Sequence, residues 1–207
     1  MATMASARSS GARTRRPRAS ARRDLDDVVT VAIAVFTERG YDGTSVADLA
    51  KASGLAKSSI YHHVRSKREL LELAVDHAMG KLLARSAAIA ASGGTSMDQL
   101  RMMMTEALSG AIDGDPNIGL MRRLPAMAGA VPSVMGRYRH YEMLVSSFVR
   151  RAAEDGYLRA DIEPTMLNRI LWMMGTAAAD VRLLDPDVST EQLVRDTIEI
   201  LLRGAQP

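Results

Sequence analysis

Apolar residues recur three and four positions apart along nearly the whole chain, the spacing of one helix face, and no alternating strand pattern stands out. Leu25, Val28, Val29, Ala32, Val35 and Phe36 make a first stripe that closes at Gly40. Val46, Leu49 and Ala50 mark a very short second helix, and Ile60 and Val64 a short third. "SKRE" then reads as a capping box, Ser66 capping and Glu69 reaching back. The stripe behind it runs through Leu70, Leu71, Ala74, Val75, Ala78, Met79 and Leu82 towards Ala91, and "SGG" at 92–94 ends it.

A second group of helices follows. Ser96 and Gln99 suggest another capping box ahead of Met97, Leu100, Met104, Leu108 and Ala111. "DGDPN" is turn chemistry, and the spacing predicts a short helix over 117–124, stopped by Pro125. Pro132 suits the first turn of a long helix that ends at Gly156. A helix is expected from about Thr165 to Leu184 and a last one after Ser189, with Leu193, Ile198, Leu201 and Leu202 on its stripe. The expected fold class is all-α, about nine helices without strands or internal repeats.

Composition narrows the chemistry. Hydrophobic residues are 47% of the chain, enough for a sizeable core, and with 4% aromatics and 14 methionines that core is Leu, Ala, Val and Met, which favour helices. Cysteine is absent, which removes disulfides, thiolate chemistry and Cys-type zinc sites and fits a reducing compartment. No apolar run approaches the roughly 20 residues of a membrane span, and residues 1–23 lack the apolar centre of a signal peptide. The expectation is a soluble cytoplasmic protein that does not engage a membrane.

The net charge of +3 conceals an asymmetry. Arg8, Arg13, Arg15, Arg16, Arg18, Arg22 and Arg23 crowd the first 23 residues without one acid, so the remainder has 20 basic against 24 acidic residues. A Ser/Ala/Gly/Arg segment with almost no bulky apolar side chain cannot offset its ordering entropy. Residues 1–22 therefore read as a disordered basic arm, either lying along nucleic-acid phosphates or serving as a solubilising tail.

The most informative stretch is "TSVADLAKASGLAKSSIYHHVRSKREL", Thr44 to Leu70. Helices this short do not persist alone in water, so they must pack on the first helix and on each other. Gly54 suits a turn with positive φ, Ala50 allows close approach, and Ile60 faces inward. This spacing is that of a helix-turn-helix, whose second helix enters the DNA major groove. Lys57 can reach a phosphate or a guanine edge, Ser58 and Ser59 can donate to either, and Tyr61, His62 and His63 add amphipathic donors. Lys67 at the next helix start, and Thr44 and Ser45 at the second helix start, stand where backbone N–H groups also attract an anion. His62 and His63 diverge by about 100° as neighbours on a helix and do not chelate a metal.

From Phe36 to Leu71 the chain closely resembles the DNA-binding region of TetR-family transcriptional regulators. Phe36, Gly40, Tyr41, Thr44, Ser45, Val46, Leu49, Ala50, Gly54, Leu55, Ile60, Tyr61, His63, Ser66, Lys67 and Leu70 stand at matching places. Ala56 departs from the Ser or Thr that usually caps the third helix, and Val64 from the usual Phe. The resemblance implies an N-terminal three-helix DNA-binding domain over 23–68, with its recognition helix at about 56–63, and a larger helical ligand-binding and dimerisation domain over 69–207. It implies a homodimer on double-stranded operator DNA, most often a repressor released by a small-molecule effector, here a hydrophobic or acyl-CoA-type compound.

For that effector the sequence offers Met103, Met104, Leu108, Met121, Met127, Met135, Tyr138, Tyr141, Phe148 and Trp172 as pocket wall. Flexible thioethers suit an adaptable apolar pocket, and the same residues would also serve as plain core. Arg122 and Arg123 beside Pro125 are either a solvated face or an entrance that meets an anionic ligand. The last two long helices, with Gly175, Ala177, Ala178 and Ala179, are expected to pair with a second copy as a four-helix bundle. No Gly-rich phosphate loop, HExxH or nucleophile elbow is present, so neither an enzyme nor a cofactor is expected. A helical interaction or small-molecule-binding protein without sequence-specific DNA binding is the alternative.

Overall fold

The computed structural model describes residues 18–127, 129 and 131–205, with side chains at 18–24, 183 and 205 left aside. The first stripe folds as α1, Arg18–Arg39. The arm expected over 1–22 is thus helical from Arg18, and its residues 1–17 lie outside the described residues. Then come α2 (Val46–Ser53), α3 (Lys57–His63) and α4 (Lys67–Ala91). Among the described residues no strand occurs and no helix is long and apolar enough to cross a membrane.

Gly54 closes α2 at φ 68°, and its N–H and that of Leu55 return to the last α2 carbonyls. A left-handed residue is needed for that reversal, and glycine adopts it without a Cβ penalty. Ser66 caps α4 by accepting from the Glu69 N–H, while the Glu69 carboxylate reaches Arg65 N. The 25 residues of α4 make a rod of about 37 Å.

Beyond it lie α5 (Ser96–Ile112), α6 (Pro116–Met127), α7 (Pro132–Glu154), α8 (Pro164–Ala177), α9 (Val181–Leu184) and α10 (Thr190–Ala205). Three expectations change here. The cap of α5 is Thr95 with Asp98, not Ser96 with Gln99; Gln99 turns inward, and its amide donates to Ala90 O and Gly93 O. Pro125 does not stop α6, which continues to Met127. The single helix expected over 165–184 is α8, a 3-10 turn at Ala178–Asp180, and α9.

Two apolar cores form. One unites α1–α4 with α6 and the start of α7 around Phe36, Leu70, Leu71, Leu120 and Leu124. It therefore runs through the boundary expected at residue 68. The other joins α5, α7, α8 and α10 around Leu108, Phe148, Leu171, Ile198 and Leu202. Gly175 belongs to this second core: it is buried, and a Cβ there would stand 2.6 Å from Leu108 Cδ2. Its small size serves α8 against α5, not a partner copy.

The seam between α1 and α6 is equally tight. Thr37 donates to Pro116 O at 3.0 Å, and a Cβ on Gly119 would fall onto Thr37 Cγ2. Gly119→Ala should cost about 1–3 kcal/mol by overpacking. Adding Thr37→Ala should recover most of that loss. Chemical denaturation of the single and double variants checks this, and strictly additive losses would refute the contact.

Candidate nucleic-acid interface and cavity

The second and third helices carry most of the residues expected to read a groove, and three of the expected contacts, Thr44, Ser45 and Lys67, are engaged within the protein. Lys57, Ser58 and His62 are exposed, Ser59 and His63 half-buried, and Tyr61 is 47% exposed. The Lys57 ammonium lies 5.9 Å from the Tyr61 ring centre, and the two imidazoles meet edge to face. Ile60, in the same turn, is wholly buried and pins the helix to the head. Ala56 precedes α3 and offers no side-chain cap, and the Ser59 N–H turns to Ala56 O, so the N–H groups of Lys57 and Ser58 have no side-chain acceptor from the cap.

Thr44 is not an exposed donor. It is buried, and its hydroxyl donates to Gly40 O at 2.7 Å, tying down the α1–α2 turn. Ser45 does cap α2, but reciprocally with Asp48. Hydrogen bonds from the Ser45 hydroxyl and backbone N–H hold the Asp48 carboxyl below its ordinary range, so this helix start already carries an anion.

Lys67 is also engaged. Its ammonium donates to Tyr41 O at 2.8 Å and Thr44 O at 2.9 Å and sits 4.1 Å from the Tyr41 ring centre. The residue expected to grip a phosphate is first a strut between α4 and the α1–α2 turn. Lys67→Met should lower stability by about 1–2 kcal/mol, since two carbonyls lose a charged donor, and should speed hydrogen exchange in that turn. Unchanged stability with a flatter salt dependence of DNA binding would return Lys67 to a phosphate role alone.

A cavity of about 680 Å³ opens in the larger part of the chain, within the range of small-molecule sites. It lies between the two cores: Met121, Tyr138, Tyr141 and Trp172 border it from the first, Leu100, Met103, Met104, Leu108 and Leu171 from the second. Of the ten wall residues expected, Met103, Met104, Leu108, Met121, Met135, Tyr138, Tyr141 and Trp172 line it. Met127 and Phe148 do not. Met127 is buried in the first core, and Phe148 in the second beneath the Arg151 guanidinium.

Sequence reasoning missed the polar lining: Arg139, Glu142, Asn168, Arg169 and Thr176. Glu142 is buried and accepts two hydrogen bonds from Arg169, at 2.6 and 2.7 Å. Burial pushes the Tyr141 phenol up to about 12, with Tyr138 adding to the rise and Arg85 opposing it. Burial and then the Glu142 carboxylate raise the Tyr138 phenol. Both phenols are neutral donors near pH 7.

The surrounding helices connect this cavity to the head. On α6, Gly119 and Arg123 face α1, the latter donating to Glu38 O, while Met121, Arg122 and Pro125 face the cavity. At the start of α7, Ser133 donates to Glu72 of α4, and Arg137 pairs with Asp76 at 2.8 Å.

A family model described as bacterial regulatory proteins, tetR family, matches residues 28–74, the head and the start of α4. The transcriptional repressor KstR2 of Mycobacterium tuberculosis is 22% identical over 183 residues, covering 86% of this chain and 90% of that protein. Its structure superimposes with a TM-score of 0.69. A TetR-family regulator from Streptomyces coelicolor A3 is 29% identical, with a TM-score of 0.63 over 87% of this chain and 91% of that one. AibR, solved with isovaleryl coenzyme A and operator DNA, is 19% identical, with a TM-score of 0.72 over 86% of this chain and 98% of its own. Residues 28–74 thus carry the DNA-binding head of the tetR family of bacterial regulatory proteins, set here on a two-core helical body whose fold is that of TetR-family regulators.

Proposed function

We propose that the protein is a homodimeric transcriptional repressor that leaves its operator when a small hydrophobic or acyl-CoA-type effector fills the cavity. The observation that carries this reading is the cavity's position between the core that includes the head and the core that includes α8 and α10. An occupant there acts on both. α6 turns one face to α1 and the opposite face to the cavity, so displacing it moves the head. The heads of a dimer must keep their spacing to enter successive major grooves, about 34–36 Å apart.

Dimerisation is supported by an unpartnered apolar stripe. Met166, Ile170, Met173 and Met174 on α8, Leu184 on α9 and Ile200 on α10 are all exposed. Met173 also borders the cavity, but the others do not; α8 and α10 pack together, and monomeric soluble proteins rarely leave large apolar patches in water. AibR, a protein of this fold, was solved with an acyl-CoA and operator DNA together, which favours an effector of that kind here.

A footprint on the DNA beside the protein's own coding sequence should show two symmetric half-sites. A bound effector should weaken operator affinity by about 5- to 150-fold, and operator should weaken effector affinity by the same factor. Single asymmetric protection, or effector binding indifferent to operator, would refute this reading.

A further inference from the structure

We propose that the cavity takes an amphiphile with an anionic oxygen head, gripped at the opening by Arg122 and Arg139, its apolar body lying among the methionines and leucines beneath. The inference rests on the cavity being the effector site and adds the chemical class of the effector.

The lining is divided. Leu100, Met103, Met104 and Leu108 of α5 and Leu171 of α8 are buried, so they form the closed, apolar end. Arg122 of α6, Arg139 of α7 and Arg169 of α8 are exposed yet still line the cavity. An accessible side chain that borders a cavity borders its opening. Arginines from three helices therefore stand on the accessible border of one cavity.

These cations are not equivalent. Arg169 is spent on Glu142, both carboxylate oxygens being engaged. Among the described residues Glu142 is the only acid in the lining, and Arg169 neutralises it. The neighbouring Arg137 is spent on Asp76. Arg122 and Arg139 have no carboxylate partner among the described residues. Outside residues 1–23 the chain has more acids than bases, 24 against 20, so two cations without acids at one apolar mouth are not a by-product of a basic surface. Exposed guanidinium groups offer bidentate geometry to carboxylate or phosphate oxygens. Inside, the two phenols and Asn168 can donate hydrogen bonds, and no unneutralised negative charge among the described lining residues opposes the head.

A carboxylate and the phosphates of a coenzyme A thioester share this chemistry, and an eight-carbon series separates them. Octanoate, octanoyl-CoA and neutral methyl octanoate are titrated calorimetrically into the full chain, the Arg122→Gln/Arg139→Gln variant and Met104→Trp. At least one anionic probe is expected to bind about tenfold or more tightly than the ester. That advantage should shrink towards unity in the double glutamine variant and at high salt. Octanoate alone binding tightly assigns the head to a carboxylate, octanoyl-CoA alone to phosphates; either supports the proposal. An ester that binds as well as both anions, or an advantage that survives loss of both arginines, overturns it. If all three probes bind alike and Met104→Trp blocks them, the effector cavity stands and only the anionic class falls. If the anions bind but Met104→Trp leaves them unaffected, they bind elsewhere and the cavity reading falls too.

Discussion

A chain carrying both Ile170→Glu and Ile200→Glu should fold, elute as a monomer, and lose operator affinity by about 100-fold or more. Both isoleucines are exposed, 40% and 71%, and neither lines the cavity. A carboxylate at either place meets water in the lone protomer and costs the fold little. In a dimer the same carboxylates would be desolvated against an apolar face, and against each other, with no partner charge. Two linked heads bind two half-sites with a shared effective concentration, and a monomer forfeits that gain at once. Size-exclusion chromatography with light scattering reads the oligomer, and a mobility shift reads the operator. A double variant that stays dimeric moves the interface away from α8 and α10. One that turns monomeric yet binds the operator undiminished refutes the need for two heads.

Phe36→Ala should be the most destabilising substitution in the head, at about 3–5 kcal/mol. The ring is wholly buried and lies 5.8 Å from that of Tyr41. It touches the one core shared by α1, α2, α3, α4 and α6. Removing it opens a cavity in a unit whose helices of eight and seven residues, α2 and α3, have little independent stability. The loss is a large share of the roughly 5–15 kcal/mol typical of a whole domain. The head should consequently open before the rest of the chain. Operator binding should disappear while helices α5, α7, α8 and α10 still resist hydrogen exchange. A loss under about 1 kcal/mol, or uniform loss of protection, would contradict this division.

The parts of the site that are readable in the sequence are those determined within a few residues. Gly54, Ile60 and the Ser66–Glu69 cap act through their neighbours, so spacing reveals them. Thr44 and Lys67 mislead because a hydroxyl or ammonium is directed by its acceptor. Lys67's acceptors are the carbonyls of Tyr41 and Thr44, 26 and 23 positions away. Nothing in local spacing separates a strut from a phosphate ligand.

The cavity divides in the same way. Its methionines are legible as an apolar stripe, but periodicity does not distinguish a wall with space before it from one packed solid, so Phe148 and Met127 read as wall too. Arg139 and Arg169 look like a solvated face in one dimension. Their convergence depends on how α7 crosses α8, and Glu142 finds Arg169 only through that crossing. The break after Ala177 is likewise hidden, because Ala178 and Ala179 suit a continuing helix as well as a tighter turn.

The strut from Lys67 has a consequence for how such a protein can diversify. It ties the first turn of α4 to the turn that seats α2 and α3, so the reading head travels as one piece with the rod that bears it. On the proposed function, the surface of α3 is then free to drift: Lys57, Ser58, Tyr61 and His62 could change to suit another operator while the tie of the head to α4 is kept. The cavity can drift with equal independence, provided that the seams of Thr37 with Gly119 and of Asp76 with Arg137 are kept. Address and trigger become exchangeable modules, and a chimaera joined within α4 that preserves both seams inherits each property from a different parent.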